Sequence, residues 1–145
     1  GIELKLIMPE YPVTCYSGRE EIQEIIDNLM SNAVKYTQSG SVTAKLEDLG
    51  REIKFSIIDT GEGIPKKEIS NLGKKFHRIN PYLHSSMDGN TKIVRPGGTG
   101  IGLYVVYGLI KLLKGRVEVE SDIGKGSTFM VYLPKKIIFT NLKGN

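Results

Sequence analysis

The sequence contains few of the residues that build disulfide frameworks and protein-ligated metal centres. The single cysteine, Cys15, excludes an intrachain disulfide and favours a reducing compartment. The two histidines, His77 and His84, are too few and too poorly accompanied to form a transition-metal site from protein ligands alone. Apolar runs stay well short of the roughly 20 residues of a membrane-spanning helix, and the N-terminus shows no signal-peptide pattern. These absences favour a soluble domain in a reducing compartment.

The composition is typical of a soluble globular protein, because 39% of the residues are hydrophobic and 25% are charged. The length of 145 residues predicts a single domain. The net charge of +4 is concentrated, since residues 66–95 hold seven basic side chains against Glu68 and Asp88. The seven are Lys66, Lys67, Lys74, Lys75, Arg78, Lys92 and Arg95. A basic patch is typical of nucleic-acid binding, but this one adjoins a glycine-rich stretch, and a merely solvated surface is the alternative.

Hydrophobic periodicity predicts an α+β domain, a two-layer sandwich of a mostly antiparallel five-stranded sheet with about three helices on one face. Strand patterns occur at 2–7, 13–16, 42–46, 53–57, 117–119 and 129–133. Helices are expected at 17–36, 67–72 and 100–114, and Ser17 with Glu20 forms a capping box for the first. Residues 76–98 show no sustained period, and so long an irregular stretch tends to be functional. The tail, 135–145, fits either an extra strand or the start of a linker.

Four polar residues share one face of the first predicted helix, because Asn28, Asn32, Lys35 and Tyr36 lie at i, i+4, i+7 and i+8. Asparagine is a mediocre helix former, since its side chain competes for backbone hydrogen bonds. Two amide oxygens one turn apart can ligate a hard cation or its waters, while Lys35 meets an anion. A half-exposed polar edge is the alternative.

The segment "DTGEGIP", residues 59–65, places a carboxylate at the end of an apolar strand. Asp59 is costly to desolvate there unless it accepts hydrogen bonds. Gly61 and Gly63 permit positive φ and leave room for a flat object against the backbone. The exocyclic amine of adenine is one donor that would satisfy Asp59, and a carboxylate capping its own loop is the alternative.

The segment "GGTGIGLY", residues 97–104, leads a glycine-rich loop into a helix. Its glycines expose successive backbone N–H groups at a helix N-terminus, which is a geometry that binds anions. The pattern is neither a P-loop nor a Rossmann fingerprint. Together with the basic stretch before it, the loop favours a triphosphate as the bound anion.

Five motifs of the sequence resemble, in order and spacing, the N, G1, F, G2 and G3 boxes of the ATP-binding catalytic domain of sensor histidine kinases. They are "NLMSNAVKYT" (28–37), "DTGEGIP" (59–65), "KKFHRIN" (74–80), "GGTGIGLYVVYGLIKLLKGRVEVES" (97–121) and "GKGSTFMVYLP" (124–134). The resemblance covers about residues 2–134, with the whole chain, 1–145, expected as one catalytic domain. It implies the Bergerat fold, which is shared with the DNA gyrase B subunit, MutL and Hsp90-type chaperones.

The resemblance also implies roles for single residues. Asn32 would hold Mg2+ shared with the ATP phosphates, and Asn28 would support the ion or contact a phosphate. Asp59 would accept the adenine amine, with Ser127 behind it. Arg78 would approach the γ-phosphate, where a cation acts most strongly in the transition state. The other ATP contacts would be Lys35, Tyr36, Gly61, Gly63, Ile64, Gly98, Thr99, Gly100, Gly102 and Leu103.

Residues 76–98 would form a basic lid over the nucleotide, and the catalytic set would be Arg78, Asn28 and Lys35. Relatives that hydrolyse ATP generally carry a glutamate one turn before the Mg2+ asparagine. Asn28 holds that position here and cannot act as a general base. The resemblance therefore implies a phosphoryl donor with little intrinsic hydrolysis.

The phosphoryl acceptor is expected outside this chain, because neither His77 nor His84 has the acceptor context of the family. The expected partner is a histidine-bearing dimerisation domain of the same parent protein, followed indirectly by a response regulator. The isolated chain is expected to be a cytoplasmic monomer that binds no nucleic acid. Two alternatives stay open: a Bergerat-fold regulatory module acting through protein contacts, and a basic nucleic-acid binder.

Overall fold

The computed structural model describes residues 1–16, 18–73 and 101–136, with Ile101 described by its backbone alone. Eight helices and strands lie in these ranges. They are β1 (Ile2–Ile7), α1 (Arg19–Lys35), β2 (Gly40–Asp48), β3 (Glu52–Asp59), α2 (Lys66–Ile69), α3 (Ile101–Leu112), β4 (Arg116–Ser121) and β5 (Ser127–Pro134). The predicted α+β class is confirmed, as are both predicted hairpins and the positions of all three predicted helices.

The sheet is mixed, with strand order β1-β2-β3-β5-β4. β1 runs parallel to β2, whereas β2–β3, β3–β5 and β4–β5 are antiparallel pairs. A parallel pair needs a crossover connection, and α1 supplies it between β1 and β2. The sheet is thus mostly antiparallel, as predicted, with one parallel pair at its edge.

The helices form a second layer over one face of the sheet. α1 packs against β2 and β3, α3 packs against β4, and the two long helices pack against each other. Both helices bury apolar residues at helical spacing, so each turns a narrow stripe toward the sheet. The buried stripes are Ile25, Leu29 and Ala33 on α1, and Val106, Ile110 and Leu113 on and just after α3.

The strands bury apolar side chains in rows that cross the sheet. One row joins Ala44, Ile57, Phe129 and Val119 on four neighbouring strands, because these residues are register partners. Alternate positions face the same side of a sheet, so the next row on this core face lies two residues further along each strand. That row is polar at three of its four positions: Val42, Asp59, Ser127 and Ser121. The core face of the sheet therefore ends in a polar row.

The prediction of a strand at 13–16 is wrong. Residues 13–15 have no regular structure, and the described backbone contact of this stretch is a hydrogen bond from Tyr16 N to Lys135 O at 2.8 Å. Pro12 directly precedes the segment and offers no N–H to a ladder. Val13 and Cys15 therefore pack against the core, but their segment does not pair with a strand.

The predicted capping box of α1 depends on Ser17, which lies outside the described residues. The N-cap of α1 is Gly18, which has a left-handed backbone (φ 82°). The Gly18 carbonyl accepts the first helical bond from Ile22 N at 2.8 Å.

Asp48 and Lys135 form a contact that ties the β2–β3 turn to the end of β5. The carboxylate lies 2.6 Å from Lys135 Nζ and also accepts a hydrogen bond from Gly50 N at 2.9 Å. These partners hold the pKa of Asp48 below its ordinary value of 3.8. Because the pKa is lowered on folding, the charged carboxylate stabilises the fold above pH 4 or so, and this stabilisation is lost as the pH falls through the folded pKa.

We therefore expect Asp48→Asn to lower the thermal unfolding midpoint at about pH 7 and to lower it less at about pH 3, where the carboxylate of the parent is becoming protonated. Circular dichroism melts at both pH values measure this difference. Asp27→Asn is the control, since Asp27 is exposed on α1 and its carboxylate accepts from the neutral Gln23 side chain. An equal loss for Asp48→Asn at both pH values would show that the ion pair is not the cause.

Candidate functional site

The candidate site is built on the polar row that ends the core face of the sheet. Asp59 is the last residue of β3, is 9% exposed, and lies opposite Val42 on β2 and Ser127 on β5. Its Oδ1 accepts a hydrogen bond from Gly61 N at 2.9 Å, which holds the carboxylate over the start of the loop. A buried carboxylate is thus fixed in place at the point where the sheet meets the loop of residues 60–65.

Two glycines let this loop pack tightly against its neighbours. A Cβ atom on Gly61 would lie 2.3 Å from the Tyr36 carbonyl oxygen, at the C-terminal end of α1. Gly63 has a φ of 79°, and a Cβ there would lie 1.9 Å from the Asp122 carbonyl oxygen in the β4–β5 turn. The loop is therefore held between the end of α1 and the β4–β5 turn, and side chains are excluded at both positions.

Ser121 links the loop to the β4–β5 turn. Its Oγ accepts from Ile64 N at 2.8 Å and donates to the Gly126 carbonyl at 2.7 Å. The Ser127 hydroxyl lies 2.9 Å from the same Oγ. A serine hydroxyl has one proton, and that of Ser121 is used on Gly126, so Ser127 is the donor in this pair. Ser127 can then act toward a ligand as an acceptor.

Sequence reasoning missed Ser121. The signal was present, because Ser121 continues the alternation of Val117 and Val119 and so belongs on the core face. A serine at such a position needs hydrogen-bond partners when it is covered. Ser127, which is expected behind Asp59, is its register partner on β5, and the Ser127 hydroxyl lies 2.9 Å from Ser121 Oγ.

The polar face of α1 borders the first turn of α3. Asn28 donates from Nδ2 to the Glu24 carbonyl at 2.8 Å, and its Oδ1 faces Gly102, where a Cβ would approach it to 3.3 Å. Asn32 and Tyr36 are half-buried on the same face and Lys35 is exposed. The structure therefore brings the Asn28 amide beside the N-terminal end of α3, where backbone N–H groups and the helix dipole favour an anion.

The apolar members of the predicted site lie in or beside the core. Ile64 is 2% exposed in the core cluster, and Leu103 is half-buried against that cluster. Arg78, Gly98, Thr99 and Gly100 lie outside the described residues, as does the predicted lid at 76–98. Thr60, next to Asp59, joins the loop to β2, since its Oγ1 accepts from Ser41 N at 2.9 Å.

These features fit a nucleotide as the ligand. Gly61 and Gly63 let the loop pack closely around the buried Asp59 carboxylate, which can accept a hydrogen bond from an amine such as that of adenine. The described residues contain no cluster of three histidine, cysteine or acidic side chains that could hold a metal. In the same ranges, no helix is both long and apolar enough to cross a membrane.

Comparison with known proteins gives one family and consistent relatives. Residues 18–137 match the family described as histidine kinase-, DNA gyrase B-, and HSP90-like ATPase. The circadian input-output histidine kinase CikA of Synechococcus elongatus is 34% identical over 120 residues, which cover 82% of this chain and 15% of that protein. The sensor histidine kinase RcsC of Escherichia coli (strain K12) is 32% identical over 128 residues, 88% of this chain and 12% of that protein. The chain thus spans less than a fifth of these relatives.

Solved structures agree on the fold. Full-length ShkA in complex with AMPPNP aligns with a TM-score of 0.75 at 24% identity, covering 92% of this chain and 26% of that one. The mycobacterial sensor histidine kinase MprB aligns with a TM-score of 0.74 at 20% identity, covering 94% of this chain and 86% of that one. The resemblance indicated by the five sequence motifs is confirmed.

Proposed function

Because the chain belongs to the family of histidine kinase-, DNA gyrase B- and HSP90-like ATPases, we propose that it is the catalytic part of a sensor histidine kinase. It binds ATP with Mg2+ and donates the γ-phosphoryl group to a histidine on another domain of its parent protein. The observation that carries this proposal is the buried Asp59 carboxylate, which is fixed by Gly61 N in a loop packed against the C-terminal end of α1. The curated relatives are named as histidine kinases, which supports the same function.

The base end of the site consists of Asp59 and its loop. Asp59 accepts the adenine amine, and a hydrogen bond to a charged acceptor contributes about 1.5–3 kcal/mol. Gly61 and Gly63 let the loop pack closely beside Asp59, Ile64 supplies an apolar surface from the core, and Ser127 offers an acceptor oxygen. ShkA, which shares this fold, was crystallised with the nucleotide analogue AMPPNP, and this supports a nucleotide as the ligand.

The phosphate end lies between α1 and α3. Asn32 supplies an oxygen for Mg2+ and Asn28 supports it, while Lys35 and Tyr36 reach the phosphates from the same face. Gly102 exposes backbone N–H groups at the first turn of α3, with Leu103 packed behind it. By their place in the motifs, Gly98, Thr99 and Gly100 complete the phosphate loop, and Arg78 faces the γ-phosphate. The bound magnesium nucleotide supplies the transferable phosphoryl group and an electrophilic phosphorus.

Asn28 separates phosphoryl transfer from hydrolysis. An amide cannot remove a proton from water, and Asn28 donates its Nδ2 hydrogen to the Glu24 carbonyl, which directs its Oδ1 toward α3. The acceptor histidine carries its own nucleophilic nitrogen and needs no such base from this chain. We therefore propose slow hydrolysis, a cytoplasmic location where ATP is available, and a response regulator as the indirect partner.

The test is phosphoryl transfer in trans. The chain is mixed with γ-labelled ATP, Mg2+ and a separately made histidine-bearing helical hairpin domain of a sensor kinase. We expect alkali-stable, acid-labile label on the hairpin, formed faster than ATP is hydrolysed without the hairpin. A hairpin whose acceptor histidine is replaced by alanine is the control. ATP binding with no transfer to any of several hairpins would instead favour a regulatory module, and DNA binding that ATP does not block would favour a nucleic-acid binder.

A further inference from the structure

The hydroxyl of Thr37 is a buried polar group that the protein itself does not satisfy. Thr37 is 4% exposed, and its Oγ1 has no hydrogen-bond partner among the residues that the structure describes. Burying a hydroxyl without a partner is unfavourable, and most buried polar side-chain atoms in proteins are paired with protein or with ordered water. The Thr37 hydroxyl therefore points to a ligand or a water molecule that completes it.

The position of Thr37 places its hydroxyl beside the candidate site. The residue follows Tyr36, the C-cap of α1, and lies against the loop of the candidate site. A Cβ on Gly61 would be 2.9 Å from Thr37 Oγ1 and 3.0 Å from Asp59 Oδ1. The hydroxyl and the carboxylate thus flank the same glycine, and a group bound by one of them is adjacent to the other.

The two groups have complementary chemistry. The ionised Asp59 carboxylate can only accept hydrogen bonds, so it selects a donor such as the adenine amine. A threonine hydroxyl can donate as well as accept. In adenine the amine is flanked by acceptor ring nitrogens, N1 on one side and N7 on the other, whereas guanine carries a carbonyl in place of the amine. A carboxylate beside a hydroxyl donor therefore matches the edge of adenine and opposes that of guanine.

We propose that Thr37 is a base-recognition residue: its hydroxyl donates, directly or through one buried water, to a ring nitrogen beside the adenine amine. This inference rests on the proposed function, because it needs ATP in the site. Water-mediated contacts of this kind are nearly as favourable as direct ones. Thr37 then contributes to the choice of adenine over guanine, in addition to Asp59.

The experiment compares Thr37→Val with Thr37→Ser. Valine keeps the shape of threonine without the hydroxyl, and serine keeps the hydroxyl. Calorimetry with Mg2+ and ATP should show about 3- to 10-fold weaker binding for Thr37→Val and nearly unchanged binding for Thr37→Ser. The titrations are repeated with 1-deaza-ATP and 7-deaza-ATP, each of which lacks one of the two ring nitrogens. For the analogue that lacks the contacted nitrogen, Thr37→Val should bind as tightly as the unsubstituted chain.

A stability measurement separates recognition from a structural role. Removing the Thr37 hydroxyl breaks no hydrogen bond among the described residues. Thr37→Val should therefore leave the thermal midpoint of the nucleotide-free chain unchanged or raise it. A lowered midpoint with equal losses for all three nucleotides would overturn the inference. If the unsubstituted chain binds ATP and Thr37→Val binds it equally well, only the proposed role of Thr37 is overturned. If the unsubstituted chain binds no ATP, both the proposed function and the role of Thr37 are overturned.

Discussion

Asp59→Asn is expected to weaken ATP binding by about 10- to 100-fold, because it removes a charged acceptor from the adenine amine and can turn an amide donor toward it. The substitution changes little in shape, and the asparagine Oδ1 can still accept from Gly61 N as the carboxylate does at 2.9 Å. The fold should therefore persist while recognition fails. Isothermal titration with ATP and Mg2+ measures the affinity, and a thermal melt checks that the variant is folded.

The control for this prediction is Asp48→Asn, which removes a carboxylate at the opposite end of the β2–β3 pair. Asp48 and Asp59 lie at the two ends of this register, opposite Ile53 and Val42 respectively. We expect Asp48→Asn to bind ATP as the parent chain does, even where it melts earlier. Unchanged ATP affinity in Asp59→Asn would remove the adenine assignment and, with it, the observation on which the proposed function depends.

The long amphipathic elements could be predicted because their periodicity is a direct consequence of burial. Ile25, Leu29 and Ala33 recur at helical spacing, and α1 places this stripe in the core. Ile53 and Ile57 alternate with outward residues, and β3 buries them. The same alternation misled at 13–16, where the described residues form no strand and Pro12 directly precedes the segment. Local hydrophobic periodicity indicates which face of a segment is buried, but it does not indicate which other segment pairs with it.

The candidate site was predictable only in part, for a related reason. Asp59, Gly61 and Gly63 stand out because a carboxylate ends an apolar strand and two glycines follow it. Ser121 and Thr37 are ordinary residues in sequence, and their importance arises from contacts distant in the chain. Ser121 accepts from Ile64 N across 57 residues, and Thr37 meets the loop through Gly61. Such contacts depend on register and on the angle between α1 and the sheet, which local pattern does not encode.

Gly126→Ala should be among the most damaging of the single-methyl changes near the site. Gly126 has a φ of 76°, and a Cβ there would lie 2.0 Å from the Asp59 carbonyl oxygen and 2.9 Å from Thr60 Cα. Both obstacles belong to the backbone, so β3 or the β4–β5 turn must move. Left-handed backbone costs alanine about 1–2 kcal/mol, and overpacking adds about 1–3 kcal/mol, so we expect about 2–5 kcal/mol of destabilisation in urea unfolding.

Gly124→Ala is the matched control, because Gly124 lies in the same turn with nearly the same φ, 80°, and has no atom within 4 Å of an added Cβ. It should lose only the about 1–2 kcal/mol of the left-handed conformation and should keep its ATP affinity. Gly126→Ala should also bind ATP more weakly than Gly124→Ala, since the movement that relieves the clash shifts Asp59 itself. Equal unfolding free energies for the two variants would show that Gly126 is required only for its φ, and that the close packing of the turn on Asp59 does not hold the carboxylate in place.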